Sequence, residues 1–270
     1  MLPIFLATCV VFVLMAIAGA WAARRLRSDV ARHLGLAAGV LLAVPCFAFA
    51  ANYLHLWDEP LLLYRFRAVP GSELAGGLCG WLSGWYGWTL MTHSQRAVRM
   101  LVALTAVFPL LLAIPYAKPW LAPLYQAEWH ARWSDGVCLQ TTPSTCGPSC
   151  AATLLRQHGR DVSERTLAEA AHTTAGGTEC WYLVRALRAQ GMDVTLVATA
   201  PNPPTLPWPS IAGTRLGEDG AGHYVTVLGE DEHGYLIGDP LRGRVSLPRA
   251  DIGKARWFTG FFMRVDAAAR

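Results

Sequence analysis

Long apolar stretches fill the first 117 positions of the chain. Residues 2–23, 34–57, 74–91 and 98–116 carry no acidic residue and no lysine, and Arg99, near the start of the last, is their only arginine. A helix needs about 20 apolar residues to cross a bilayer. The pattern therefore predicts four transmembrane helices over residues 1–117, with charges confined to the short connections. Ala18-Gly19-Ala20 is small enough for signal cleavage, but no basic segment precedes the first run and Arg24, Arg25 and Arg27 follow it. A retained anchor is expected.

Arginine placement sets an expected orientation. Arg24, Arg25, Arg27 and Arg32 follow the first run and Arg96 and Arg99 follow the third, whereas Asp58, Glu59 and Glu73 offset Arg65 and Arg67 around the second loop. Basic loops stay in the cytoplasm. Everything after the fourth run is then periplasmic or extracellular, and the protein is multi-pass in a bacterial inner membrane. Gly76, Gly80 and Gly84 recur every four residues and allow close helix contact, within this chain's own helices rather than in a dimer. His33, His55 and His93 stand near the ends of the runs, and no pair of ionisable residues inside them supports transport.

Beyond residue 117 the pattern breaks into short segments punctuated by Pro and Gly. Residues 118–137 read as an aromatic interfacial linker, with Trp120, Tyr125, Trp129 and Trp133 along the membrane surface. Residues 138–270 read as one globular domain. Helices are predicted over 148–158, 164–171 (capped by Ser163) and 178–190, the last stopped by Gly191. Strands are predicted over 193–198, 224–228, 235–237, 244–247 and 257–265, and 201–209 is an extended, proline-rich connection. Helices followed by antiparallel strands give an α+β domain.

Composition adds two exclusions. The mean hydropathy of +0.28 is too high for one soluble domain of 270 residues. The net charge of +4 comes with no basic arm or stripe, so nucleic acid is not a partner.

The candidate chemistry starts at Cys146-Gly147-Pro148. Pro fits the first turn of a helix, which places Cys146 at the helix mouth, where the positive end of the dipole favours a thiolate. Cys150 lies one turn further in and reads as a packing residue. Gln140, six residues before Cys146, has an amide that can complete an oxyanion hole with the Cys146 N–H. His223 opens one strand and Asp239 closes the next. A hairpin centred on Asp231 would set them face to face as base and orienter. His158, His172 and His233 are weaker candidates for the base.

Gln140, Cys146-Gly147, His223-Tyr224-Val225 and Asp239-Pro240 together resemble the bacteriocin-processing, double-glycine cysteine peptidase family over roughly residues 138–265. The resemblance implies a papain-like fold and peptide-bond hydrolysis through an acyl-enzyme. It makes Cys146 the nucleophile, His223 the base, Asp239 the orienter and Gln140 the oxyanion donor, with a peptide or protein substrate and no metal or other cofactor. Many members of that family are joined to an ATP-driven exporter. This sequence holds no Gly-x-x-x-x-Gly-Lys-Ser/Thr loop, so an exporter would be a separate partner.

Three other readings use the same residues. Cys146 and Cys150 with His158 or His223 could bind zinc, although the spacing is not that of a zinc site. A transglutaminase-type acyltransferase would use the same Cys-His-Asp order. A membrane-tethered peptide-binding protein would have lost the activity. If the domain lies outside the cell, a Cys138–Cys180 disulfide is expected, because it leaves Cys146 free.

Overall fold

Each of the first two apolar runs forms one long helix. In the computed structural model α1 spans Leu2–Arg25 and α2 spans Asp29–Tyr53, and both are long and apolar enough to cross a membrane. The structure describes residues 2–53, 56, 61–91, 116, 118, 121–124, 128–130, 132–216, 221–252 and 258–268. The chain divides into two compact units, Met1–Leu121 and Ala122–Arg270.

Among the described residues α1 and α2, not clearly four helices, meet that length and composition, and the third apolar run departs from a single α-helix. A short helix, α3, covers Leu61–Arg67, and the run then begins as a 3₁₀ helix over Ser72–Cys79. The α-helix Gly80–Met91 (α4) continues it without a break. A 3₁₀ turn aligns residues three apart, which brings Gly77 and Gly80 onto one line against α1. A Cβ on Gly77 would lie 2.7 Å from the Thr8 carbonyl oxygen, one on Gly80 2.1 Å from that of Phe12, and one on Gly84 1.8 Å from that of Ala16. The small residues therefore serve packing within the chain, on a stripe of Gly77, Gly80 and Gly84. The fourth run lies outside the described residues except for Tyr116, whose hydroxyl meets that of Thr8 at 2.9 Å. His55, His93, Arg96 and Arg99 also lie outside them.

The second unit begins within the segment read as a linker. β1 (Trp133–Ser134) pairs with β2 (Val137–Cys138), and the Arg156 guanidinium covers the Trp133 ring at 4.2 Å. Three helices follow: α5 (Cys146–Gln157), α6 (Glu164–Ala170) and α7 (Cys180–Ala189). Ser163 caps α6 as predicted, its Oγ accepting from the Thr166 N–H at 3.1 Å.

A six-stranded antiparallel sheet completes the domain. Its strands are β3 (Met192–Ala198), β4 (Ser210–Leu216), β5 (Ala221–Glu230), β6 (Gly234–Asp239), β7 (Gly243–Pro248) and β8 (Phe258–Ala267). Their order is β3-β8-β4-β5-β6-β7. Ala212, Val225, Val227, Tyr235, Ile237, Leu247 and Phe262 form the core of the sheet, and α5 packs on β5. The unit is thus α+β, with the three helices between a two-stranded ribbon and the six-stranded sheet. Cys138 and Cys180 are both thiols, not a disulfide. Cys138 sits in β2, with its N–H donated to the Thr153 hydroxyl of α5. Cys180 opens α7.

Candidate active site

Cys146 is the first residue of α5 and is mostly buried, at 8 % exposure. The first N–H groups of a helix have no partner inside it, so the Cys146 thiol lies where backbone donors are available. Cys150 stands in a different environment. It is fully buried, its thiol donates to the Tyr224 carbonyl at 3.3 Å, and burial pushes its pKa well up. It serves the contact of α5 with β5.

The β5–β6 hairpin carries His223 and Asp239. Thr226 pairs with Gly238 and Val227 with Ile237, but Gly229 pairs with Leu236, so a bulge at Leu228 shifts the register. Glu230 pairs with Tyr235, so the turn is centred between Glu232 and His233 rather than on Asp231, and with Thr226 opposite Gly238 the residues His223 and Asp239 are not directly opposite. They are diagonal neighbours on one face of the sheet, within reach of long side chains. His223 Nε2 and Asp239 Oδ1 stand 3.0 Å apart. A carboxylate only accepts, so Nε2 carries the proton and Nδ1 is left for the Cys146 thiol. On the other side of β5, the Thr214 hydroxyl donates to the His223 carbonyl at 3.1 Å.

The electrostatics of the pair run in opposite directions. Burial works against a charged His223, but its hydrogen bonds to Asp239 and Cys146 outweigh burial and raise its pKa to about 9. Burial likewise opposes a charged Asp239. The His223 bond, the Leu241 N–H at 2.9 Å and the nearby Arg242 prevail and hold the carboxyl below its usual range. Arg242 is a minor partner, 3.9 Å from Oδ2 and 70 % exposed.

Gln140 lies on the strap that leads to α5. Its backbone N–H donates to the Pro240 carbonyl at 2.9 Å, which ties it to the residue after Asp239. Its side-chain Nε2 donates to the Thr142 carbonyl at 2.7 Å. An amide nitrogen has two protons, so one N–H remains to donate. The Thr145 hydroxyl donates to the same Thr142 carbonyl at 3.1 Å and accepts from the Thr142 N–H at 3.0 Å.

A cavity of about 150 Å³ opens beside His223 and Asp239. Val225, Ile237, Val245, Leu247 and Phe258 are among its walls. Among the described residues no group of three or more His, Cys, Asp or Glu side chains is arranged to hold a metal ion. Sequence reading missed Thr145, Glu164 and the Leu241 N–H as parts of this neighbourhood. Glu164 carried only the signal of a helix start, and nothing local marked its reach back to Thr141.

The chain is similar to known proteins over its second unit. A model of the Peptidase C39 family matches residues 135–269. An uncharacterized protein of Methanothermobacter marburgensis is 33% identical over 127 residues, covering 47% of this chain and 85% of that protein. One of Methanothermobacter thermautotrophicus is 30% identical over 135 residues, covering 48% and 87%. Among solved structures, the peptidase domain of Streptococcus ComA, a bifunctional ABC transporter of a quorum-sensing pathway, aligns with a TM-score of 0.42 and 21% identity, over 51% of this chain and 99% of that domain. A double glycine motif protease from an AMS/PCAT transporter, solved with its leader peptide, aligns with a TM-score of 0.43 and 19% identity, over 53% and 96%.

Proposed function

This chain belongs to the Peptidase C39 family of cysteine-type peptidases, and we propose that it hydrolyses peptide bonds through Cys146, His223 and Asp239, with Gln140 as the oxyanion donor. The observation that carries the reading is the buried His223 ring. Its Nε2 is committed to Asp239 at 3.0 Å, and its remaining nitrogen serves the Cys146 thiol.

Each step follows from those positions. His223 Nδ1 takes the Cys146 proton, and the imidazolium is stabilised by the Asp239 carboxylate. The thiolate sulfur attacks the scissile carbonyl carbon, and the electron pair moves to oxygen. The free Gln140 N–H and the Cys146 N–H hold that oxyanion. The C–N bond then breaks, the amine leaves with the proton from Nδ1, and a thioester remains. Water, deprotonated by His223, attacks the thioester, and the carboxylic acid product departs from a regenerated thiol. The apolar cavity beside His223 and Asp239 receives a substrate side chain.

The first unit is read as the membrane anchor. α1 and α2 are long and apolar enough for it, and the arginines at and after the end of α1 favour the cytoplasm for that end. With the four crossings expected from the sequence, the peptidase unit faces outward and acts on a peptide at the membrane, beside an exporter or alone.

Labelling of the full chain with a thiol-directed peptidase probe tests the reading. Loss in Cys146→Ala with retention in Cys150→Ala is the expected result. Equal labelling of both variants would refute it. Amine incorporation in place of hydrolysis would favour the acyltransferase reading.

A further inference from the structure

We propose that Glu164 is a positioning residue for the oxyanion donor, acting on Gln140 through Thr141; the inference rests on the reading of Gln140 given above. Three consecutive backbone N–H groups of the strap are committed to three different parts of the domain. The Gln140 N–H goes to Pro240 at the end of β6, and the Thr142 N–H to the Thr145 hydroxyl ahead of α5. The middle one, from Thr141, goes to Glu164 Oε1 at 2.8 Å. Glu164 also accepts from the Thr141 hydroxyl, at 2.5 Å to Oε2. That hydroxyl has one proton, and the carbonyl of His130 at 3.3 Å is the longer alternative, so the proton belongs to the carboxylate.

Glu164 is the first residue of α6, where acidic side chains ordinarily stay at their own helix end. Ser163 already caps this helix. Glu164 is instead buried, at 6 % exposure, and spans 23 positions of sequence to hold Thr141 by both of its donors. A buried carboxylate is tolerated only when its oxygens are satisfied, and here both are satisfied by one residue, the neighbour of Gln140. Of the three anchors it is the only charged one, and charge-assisted bonds are the stronger kind. It fixes the height of the strap, and so the direction of the free Gln140 N–H relative to Cys146.

Positioning a donor for an oxyanion affects reactions that form one and spares those that do not. Two probes of the purified full chain separate them. A peptide aldehyde adds to the thiol as a tetrahedral hemithioacetal and uses the oxyanion hole. Iodoacetamide alkylates the thiol by direct displacement and does not. Glu164→Gln keeps one acceptor but turns an N–H₂ toward a donor. It should weaken aldehyde affinity about tenfold, given that loss of a whole oxyanion donor costs about 10²–10³, and leave the iodoacetamide rate within about twofold. Thr141→Val should do the same in milder form and Thr141→Ser should restore the affinity, which keeps the test intact if Glu164→Gln fails to fold.

The decisive arm is Glu164→Gln in a Gln140→Ala background, where no further loss of aldehyde affinity is expected. A full second loss there, or an equal fall in the iodoacetamide rate, would make Glu164 merely structural and overturn the inference. If Gln140→Ala weakens the aldehyde and neither Glu164→Gln nor Thr141→Val does, the inference fails alone. If Gln140→Ala itself changes nothing, the oxyanion assignment fails and takes the inference with it.

Discussion

Asp239 reaches His223 across a diagonal of the sheet, not across a directly opposed pair. The turn is centred between Glu232 and His233, the bulge at Leu228 takes up one position of the resulting offset and leaves both residues on one face, and the 3.0 Å bond between Oδ1 and Nε2 spans the rest. Asp239 can lean that way because the Leu241 N–H holds the same oxygen at 2.9 Å. The orientation of the imidazole therefore depends on the turn that follows β6 as much as on the strand pairing.

Asp239→Asn should uncouple that geometry from its charge. The amide can still occupy the site, but it no longer holds an imidazolium. The pKa of His223, raised to about 9 by its bonds to Asp239 and Cys146 against burial, should fall toward its ordinary 6.5. Activity that depends on the imidazolium is lost as pH rises through the histidine pKa, so the basic limb of the rate profile should move down. The rate at its optimum should drop at least about tenfold. A basic limb left in place would contradict the assignment of Asp239 as orienter.

The same pair makes the stability of the peptidase unit pH-dependent. A raised histidine pKa contributes stability that is complete below the unfolded value of 6.5 and is lost as pH rises through about 9. A depressed aspartate contributes above its ordinary value of 3.8 and loses that contribution as pH falls. The melting temperature of the wild type minus that of His223→Gln should therefore be greatest between those limits and shrink by pH 10. A difference that stays constant from pH 6 to 10 would show that no charged pair forms.

The elements of the peptidase unit were legible where their end signals are local or their strands alternate, as β3 does. α6 buries one face, whereas α5 and α7 are buried nearly all round, but Pro148, Ser163 and Gly191 mark helix ends without reference to the rest of the fold. β4 was missed because it lies between β8 and β5 with its first five residues all buried. Its Ser-Ile-Ala-Gly-Thr start shows no alternation of apolar and polar positions, and the proline-rich run before it reads as loop. The residue types of the candidate site were visible, and so was the position of Cys146 at the mouth of its helix with Cys150 inside it. The His223–Asp239 register was not, because a bulge is a property of two strands together. Nor was the reach of Glu164, which joins residues 23 positions apart. In the first unit, hydropathy and length described the first two runs but could not distinguish an α-helix from the 3₁₀ turn over Ser72–Cys79.

Gly84 and Gly87 offer a contrast within one helix. A Cβ on Gly84 would lie 1.8 Å from the Ala16 carbonyl oxygen, whereas one on Gly87 meets nothing within 4 Å among the described residues. Alanine favours a helix over glycine by about 1 kcal/mol, so Gly87→Ala should hold or raise the melting temperature in detergent. Gly84→Ala must push α4 away from α1 and should cost about 3 kcal/mol or more, at the severe end for a single substitution. Equal behaviour of the two variants would mean that the α1–α4 contact is not as tight as described.

Val245 tests whether the cavity beside His223 takes part in substrate binding. It is half-buried on β7 and lines the cavity of about 150 Å³, away from Cys146 and Gln140 in the chain. Val245→Phe should fill much of that space without touching the nucleophile. A substrate side chain seated there would then be excluded in the ground state and the transition state alike. Such a loss raises KM and leaves kcat nearly unchanged. With fluorogenic peptides, KM should rise about tenfold for those carrying a large apolar side chain near the cut, since a well-buried apolar side chain contributes about 1.5–3 kcal/mol. Peptides with only small side chains should be unaffected, and so should the iodoacetamide rate at Cys146. A uniform fall in kcat across all peptides would instead mean that the phenylalanine had displaced His223, and an unchanged KM throughout would exclude the cavity from the binding path.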